Sequence, residues 1–176
     1  MPDDATPTYR VAISKYELDG KIPPGDAFWS TFNASFQNRD VDTFSLASSI
    51  WSGRPLATWH KDHWRTSANF ECGQHLGLDF DGGDMARLDR LAKDEFVREY
   101  GSILYTTPSH TEEAPRARAL FLLDKPIMQA ANYKHAAAAL LWAFGTADRA
   151  CVDPVRFWYG SKGCEIDCLD RVLPLE

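Results

Sequence analysis

The sequence has no long hydrophobic run and few cysteines, and these scarcities exclude broad classes of protein. No apolar stretch approaches the roughly 20 residues that a membrane-spanning helix needs. The acidic start, Met1-Pro2-Asp3-Asp4, carries no signal-peptide pattern. Four cysteines, at positions 72, 151, 164 and 168, are too few for a dense disulfide framework, and the one close pair lacks a second pair for zinc. We therefore expect a cytoplasmic protein with ordinary thiols and no membrane partner.

An excess of positive charge is also missing. The chain has 19 lysines and arginines against 25 aspartates and glutamates, which gives a formal net charge of −6. This balance argues against a broad, non-specific coat on nucleic acid. It leaves room for a local basic groove, because arginines that are distant in the sequence can cluster in space.

The sequence does contain enough apolar material for a folded domain. Its 176 residues are 44% hydrophobic and 12% aromatic, so we expect one domain over 1–176, with residues 1–10 as a flexible tail. Periodicity and turn residues predict an α+β fold, with a mixed or antiparallel sheet flanked by helices. The predicted strands are 9–13, 74–81, 102–106, 116–123 and 155–159, and the predicted helices are 27–36, 42–50, one opened by Asp84, 96–100 and 128–144. Asp124-Lys125-Pro126 is expected to end the strand that precedes it.

The segment with the most chemical information is Asp79-Phe80-Asp81, at the end of an apolar strand and before Gly82-Gly83. Side chains alternate along a strand, so Leu78 and Phe80 point one way and the two aspartates the other. Two carboxylates on one face repel each other, and a hard divalent cation would relieve that repulsion. The segment alone leaves a second interpretation open, namely a strand that runs into a polar turn.

Two later segments carry donors suited to a phosphate. Ser109-His110 follows a predicted strand and lies in a loop, where a histidine is available to a ligand. Arg116 and Arg118 then share one face of the next predicted strand, and paired guanidinium groups are forked donors that match phosphate oxygens. The alternative for the arginines is a solvated edge strand.

A third segment adds one more carboxylate and two cations. Asp148 follows a predicted helix, Arg156 comes eight residues later, and Lys162 lies in a Gly-Ser-Lys-Gly turn. A carboxylate, an arginine and a lysine near a flexible turn suit a metal–triphosphate site. Asp153 is an alternative third carboxylate, but Asp153-Pro154 is typical of a local turn, so Asp148 is preferred.

Taken in order, these segments resemble the motifs of the archaeo-eukaryotic primase superfamily, the primase-polymerases, especially the forms carried by phages and plasmids. The first motif, D-x-D, is Asp79-Phe80-Asp81; the second, S-x-H, resembles Thr107-Pro108-Ser109-His110 with the arginines that follow; the third resembles Ala147-Asp148. The likeness covers about residues 64–162. Pro108 stands where S-x-H has its serine, so Ser109 departs from the pattern.

The resemblance implies an RRM-like catalytic core and a DNA primase or template-dependent DNA polymerase that replicates a phage or mobile element. It implies two Mg²⁺ or Mn²⁺ ions held by Asp79, Asp81 and Asp148, which would activate a 3′-hydroxyl and stabilise charge on the α-phosphate. The implied nucleotide-binding residues are Ser109, His110, Arg116, Arg118, Arg156 and Lys162. The implied partners are a single-stranded DNA template and primer, dNTP or NTP, and a helicase or accessory domain outside this chain.

Two other functions stay open. A metal-dependent nuclease or phosphohydrolase would use the same carboxylates but gives no reason for the spacing of Arg156 and Lys162. A non-catalytic replication-initiation or template-binding module would keep a relict site, against which the intact carboxylates argue. If the site is a nucleotidyltransferase, replacing Asp79 and Asp81 together by alanine should abolish nucleotide incorporation and leave the fold intact.

Overall fold

The computed structural model describes residues 5–175, which form nine strands and five α-helices. In chain order the elements are β1 Tyr9–Ser14, α1 Phe28–Asn33, β2 Phe36–Val41, α2 Thr43–Trp51, β3 Leu56–Ala57, β4 Trp59–His60, β5 Phe70–Asp81, α3 Leu88–Leu91, α4 Glu95–Tyr100, β6 Ile103–Thr106, β7 Arg116–Ile127, α5 Ala130–Ala143, β8 Ile166–Cys168 and β9 Val172–Leu173. Short 3₁₀ turns cover Lys61–His63, Ser67–Asn69, Asp84–Ala86 and Arg149–Val152. No helix within residues 5–175 is long and apolar enough to cross a bilayer.

The strands form two sheets, and the pairing is antiparallel throughout except between β7 and β9. The larger sheet has the order β4-β5-β7-β6-β8, with β9 beside β7, and the smaller sheet has the order β2-β1-β3. Helix α5 packs against β5, and α3 packs against β6. The predicted α+β class, with a largely antiparallel sheet flanked by helices, is confirmed.

The long strands β5 and β7 form the centre of the larger sheet and fix the register of the acidic motif. Asp79 lies opposite Arg118, and Asp81 lies opposite Arg116. Because β7 lies between β5 and β6, the interpretation of the arginines as a solvated edge is wrong. Leu78 and Phe80 are fully buried, as the alternation of side chains predicts, and each such side chain stabilises the fold by about 1.5–3 kcal/mol.

The observed starts of three elements can be compared with those predicted from the sequence. Helix α2 begins after Asp42, whose side chain accepts a hydrogen bond from the backbone N–H of Ser45 at 2.9 Å, so its predicted N-cap is confirmed. Residues 1–4 lie outside the described part of the chain, and β1 begins at Tyr9, where the first strand is predicted to begin. Asp84 opens a 3₁₀ turn rather than the α-helix expected there, and α3 begins only at Leu88.

Two element boundaries differ from expectation, one at the end of α1 and one at the end of β7. The first helix was expected to run to Phe36, but α1 ends at Asn33. Ser35 Oγ donates to the carbonyl of Phe32 at 2.6 Å and lies 2.6 Å from Ser14 Oγ, which turns the chain into β2. Strand β7 continues through Pro126 to Ile127, and its pairing with β5 is irregular between Gly73 and His75, where a proline is tolerated.

The predicted strand 155–159 is wrong. Only Trp158 pairs in the manner of a strand, through one isolated antiparallel bridge to Leu56. The rest of this segment is irregular backbone beside the end of β5. This irregular path carries Arg156.

Candidate active site at the end of strand β5

Asp79 is almost fully buried and is held by the arginine opposite it in the sheet. Arg118 Nε donates to Asp79 Oδ1 at 2.6 Å, and Arg118 Nη2 donates to Oδ2 at 3.1 Å. The third guanidinium nitrogen, Nη1, donates to Tyr105 Oη at 2.7 Å and to the Tyr159 carbonyl at 2.9 Å. Every nitrogen of this buried side chain therefore has an oxygen partner, as a charge inside a protein requires.

A second arginine joins Asp79 to Asp148. Arg156 Nη2 lies 2.7 Å from Asp79 Oδ2 and 3.2 Å from Asp148 Oδ2. The backbone N–H of Asp148 also donates to the carbonyl of Asp79 at 2.9 Å, and its Oδ1 accepts from the N–H of Ala150 at 3.0 Å. The chain after α5 is thus fixed against the end of β5, and two carboxylates that are far apart in sequence share one cation.

Both guanidinium groups lie over the ring of Trp158. The Cζ atoms of Arg118 and Arg156 are 5.0 Å and 4.9 Å from the ring centroid, a cation–π geometry. The indole can approach β5 because residue 77 is glycine: a Cβ there would lie 2.6 Å from the Trp158 ring. The close packing of Trp158 on Gly77 therefore positions both arginines beside Asp79.

Asp81 lies further along the same face of β5 and is more open to solvent. Its Oδ1 is 3.2 Å from Arg116 Nη1, and the two side chains are 53% and 36% exposed. This pair repeats the pairing of Asp79 with Arg118 one step closer to the surface. Asp79, Asp81 and Asp148 with Arg116, Arg118 and Arg156 form a charged cluster. Within it, Arg116 and Arg156 are the arginines that a ligand from solvent can reach, because their side chains are 36% and 21% exposed.

The charges of the cluster hold Asp79 ionised. Burial alone would raise the pKa of Asp79, but the guanidinium groups of Arg118 and Arg156 outweigh it and keep the pKa below its ordinary value. Burial opposes the charge on Arg118, and the adjacent Asp79 carboxylate and Tyr105 hydroxyl raise its pKa above its ordinary value. Asp79 and Arg118 therefore form a fixed ion pair.

His110 lies in the loop between β6 and β7 and contacts the backbone of Arg116. Its Nδ1 accepts a hydrogen bond from the backbone N–H of Arg116 at 3.0 Å, so the neutral ring carries its proton on Nε2. His110 lines a cavity of about 390 Å³ together with Arg87, Thr106 and Glu165. Ser109 is half-buried beside it. The second predicted motif is therefore linked to the acidic cluster through the backbone of Arg116.

The remaining predicted residues lie apart from this cluster or have local roles. Lys162 Nζ is 2.7 Å from Asp19 Oδ1, in an exposed pair with the loop after β1. Asp153 Oδ1 accepts from the N–H of Val155 at 3.0 Å, a local turn of the kind its sequence predicts. Of the two candidates for the third carboxylate, the structure brings Asp148 to Asp79 and gives Asp153 a turn-forming contact.

The arrangement does not fit a divalent ion as it stands. The oxygens of Asp79 are engaged by two guanidinium groups, and the place between Asp79 and Asp148 is filled by Arg156. Within residues 5–175, no group of three or more histidine, cysteine, aspartate or glutamate side chains is placed to hold a metal ion. An ion could reach both carboxylates only after Arg156 moves away.

Sequence reasoning missed Tyr105, Trp158 and Gly77, which position the arginines. Tyr105 and Trp158 are apolar enough to be read as core, and both are indeed fully buried. A signal for Gly77 was present: a glycine in the middle of a strand often marks the close approach of another group. Nothing local in the sequence indicates that its partner is Trp158.

Comparisons with known proteins give one structural likeness. The scan against protein-family models finds no match, and the search of curated proteins finds none. Among solved structures, the AEP domain of the cyanophage S-2L primase-polymerase is similar at a TM-score of 0.47 and 11% sequence identity. The alignment covers 96% of this chain and 85% of that chain.

Proposed function

We propose that this chain is a metal-dependent nucleotidyltransferase of the primase-polymerase type. It would extend or synthesise a primer on single-stranded DNA from dNTP or NTP. The observation that carries the proposal is the convergence of three predicted motifs at the end of β5: Asp79 and Asp81 on that strand, Arg116 and Arg118 opposite them, and Asp148 with Arg156 against them. An ordered set of motifs that also meets in space is stronger support than either finding alone.

The geometry divides the predicted nucleotide-binding residues into two kinds. Arg118 is buried and fully paired, so we assign it to positioning Asp79. Arg116 and Arg156 reach solvent and are assigned to the triphosphate, since forked guanidinium donors match its oxygens. His110 is the third candidate, with Nε2 as its donor, and Ser109 and Lys162 complete the proposed set. Catalysis would depend mainly on positioning and charge.

Asp79, Asp81 and Asp148 remain the proposed ligands for Mg²⁺ or Mn²⁺. Asp81 and Asp148 are half-exposed, with side chains 53% and 40% accessible, so both can gain an ion without unfolding the core. Asp79 becomes available only when Arg156 leaves it. The cytoplasm is the proposed location, and a helicase or accessory domain outside this chain is a proposed partner.

The proposal is tested by incubating the protein with labelled dNTP or NTP on single-stranded template, with and without primer, in Mg²⁺ and in Mn²⁺. The informative variant is Asp148→Asn, and its matched control is Asp153→Asn, which removes the same charge from the nearby turn. We expect incorporation by the wild-type protein and the control, and loss of at least about 100-fold in Asp148→Asn. Degradation of labelled DNA without any incorporation would instead establish the nuclease alternative.

A further inference from the structure

Arg156 lies where a cation would bind Asp79 and Asp148 together. One atom, Nη2, is within 2.7 Å of an Asp79 oxygen and 3.2 Å of an Asp148 oxygen, and Nη1 lies 3.3 Å from the same Asp148 oxygen. Together with Arg118, which pairs with Asp79, the guanidinium group thus supplies the positive charge that the two neighbouring carboxylates require. The same two carboxylates are the proposed metal ligands, so one position has two competing occupants.

We propose that Arg156 is an exchangeable internal cation, displaced from Asp79 and Asp148 when a divalent ion and a triphosphate bind. The inference rests on the proposed function for the identity of that ligand, a metal–triphosphate complex. In the ligand-free protein Arg156 neutralises the carboxylates. In the ligand-bound protein the ion takes that place, and the released guanidinium group pairs with phosphate oxygens.

The contacts of the two arginines explain why Arg156 is the one that moves. Arg118 lies on the central strand β7, its side chain is 6% exposed, and its partners include Tyr105 and the Tyr159 carbonyl. Arg156 lies on irregular backbone, its side chain is 21% exposed, and the described hydrogen bonds of its guanidinium group all go to the two carboxylates. Releasing Arg156 therefore breaks fewer hydrogen bonds than releasing Arg118, and the Arg156 side chain is already closer to solvent.

Charge balance makes the ion and the phosphate bind together. A divalent ion alone would leave Arg156 displaced and without an anionic partner at the edge of the cluster, beside Arg116. A triphosphate supplies that partner and draws on both arginines. We therefore expect the free ion to bind weakly to the wild-type protein, because it must compete with a side chain that is always charged.

The test is a calorimetric titration of the chelator-treated protein with Mn²⁺. Three variants separate displacement from simple charge: Arg156→Lys keeps the charge but lacks the forked bridge, Arg156→Met removes both, and Arg54→Met removes the same charge from the pair with Glu17, which is not a proposed metal ligand. We expect Arg156→Lys to bind Mn²⁺ about tenfold more tightly than wild type, and Arg156→Met at least as tightly, since each weakens or removes charge-assisted hydrogen bonds to the ligands. Arg54→Met should stay within about threefold of wild type.

The inference is overturned if Arg156→Lys binds Mn²⁺ no more tightly than wild type, or if Arg54→Met gains as much as Arg156→Met. Circular dichroism establishes that each variant is folded, and Arg156→Lys decides the question alone if Arg156→Met does not fold. Incorporation by wild type without the expected gain in Mn²⁺ affinity would sink the exchange and keep the function. A gain in affinity without any incorporation would keep the exchange and sink the function.

Discussion

Replacing Asp79 by asparagine should destabilise the protein strongly, and this changes how the site must be tested. The substitution leaves Arg118 buried, with its side chain 6% exposed, and removes the charge that balances it. Breaking one partner of a buried ion pair costs about 3–5 kcal/mol, because the remaining charge stays desolvated. For a chain of this size the melting temperature should fall by roughly 6–20 °C. Urea denaturation followed by circular dichroism measures the change in free energy of unfolding.

Asp81→Asn is the matched control for that experiment. It removes the same charge two residues along the same strand, but from a pair in which both side chains are substantially exposed, so the expected cost is below about 1 kcal/mol. Combining Asp79→Leu with Arg118→Met should recover much of the loss, since an apolar pair leaves no buried charge. Equal stability of Asp79→Asn and Asp81→Asn would refute the reasoning. By the same reasoning, replacing Asp79 and Asp81 together by alanine should destabilise the fold, contrary to the expectation from the sequence.

Two further predictions concern the same face of β5. Gly77→Ala should cost about 1–3 kcal/mol of unfolding free energy, because its Cβ would lie 2.6 Å from the buried Trp158 ring, whereas Gly145→Ala, with open space around it, should cost far less. Burial lowers the pKa of His75 to about 4 from an ordinary 6.5, so the unfolded chain binds a proton that the folded one does not. The free energy of unfolding should therefore fall by about 3 kcal/mol as the pH falls from 6.5 towards 4, and this contribution should be fully retained above pH 6.5. In His75→Leu the free energy of unfolding should change less with pH over that interval.

The local part of the fold was predictable because side-chain periodicity and capping residues determine it. Asp42 as an N-cap, the strand that ends at Asp81 and the helix ended before Gly145 all follow from short-range patterns. The prediction failed where a contact between residues distant in the sequence determines the backbone conformation. Residues 155–159 alternate like a strand, but their backbone pairs with Leu56 only at Trp158.

The residues of the hydrogen-bonded cluster at the end of β5 were predictable from the sequence, but the way they pair was not. The sequence indicated Asp79, Asp148, Arg118 and Arg156 as functional residues, and the structure places all four in one network of hydrogen bonds. What it could not indicate is that the arginines neutralise the carboxylates. That pairing depends on the register of β5 with β7 and on the path of the chain after α5, neither of which is encoded locally. Lys162, a nucleotide-binding residue that the resemblance implies, contacts Asp19.

The central claim is that the cluster at the end of β5 transfers nucleotides, and primer extension by the Asp148→Asn variant tests it most directly. Asp148 is 40% exposed and lies outside the core, so the variant should fold like wild type. The account predicts template-dependent incorporation of labelled nucleotide by wild type and by Asp153→Asn, and none above background by Asp148→Asn. Undiminished extension by a folded Asp148→Asn protein would contradict it.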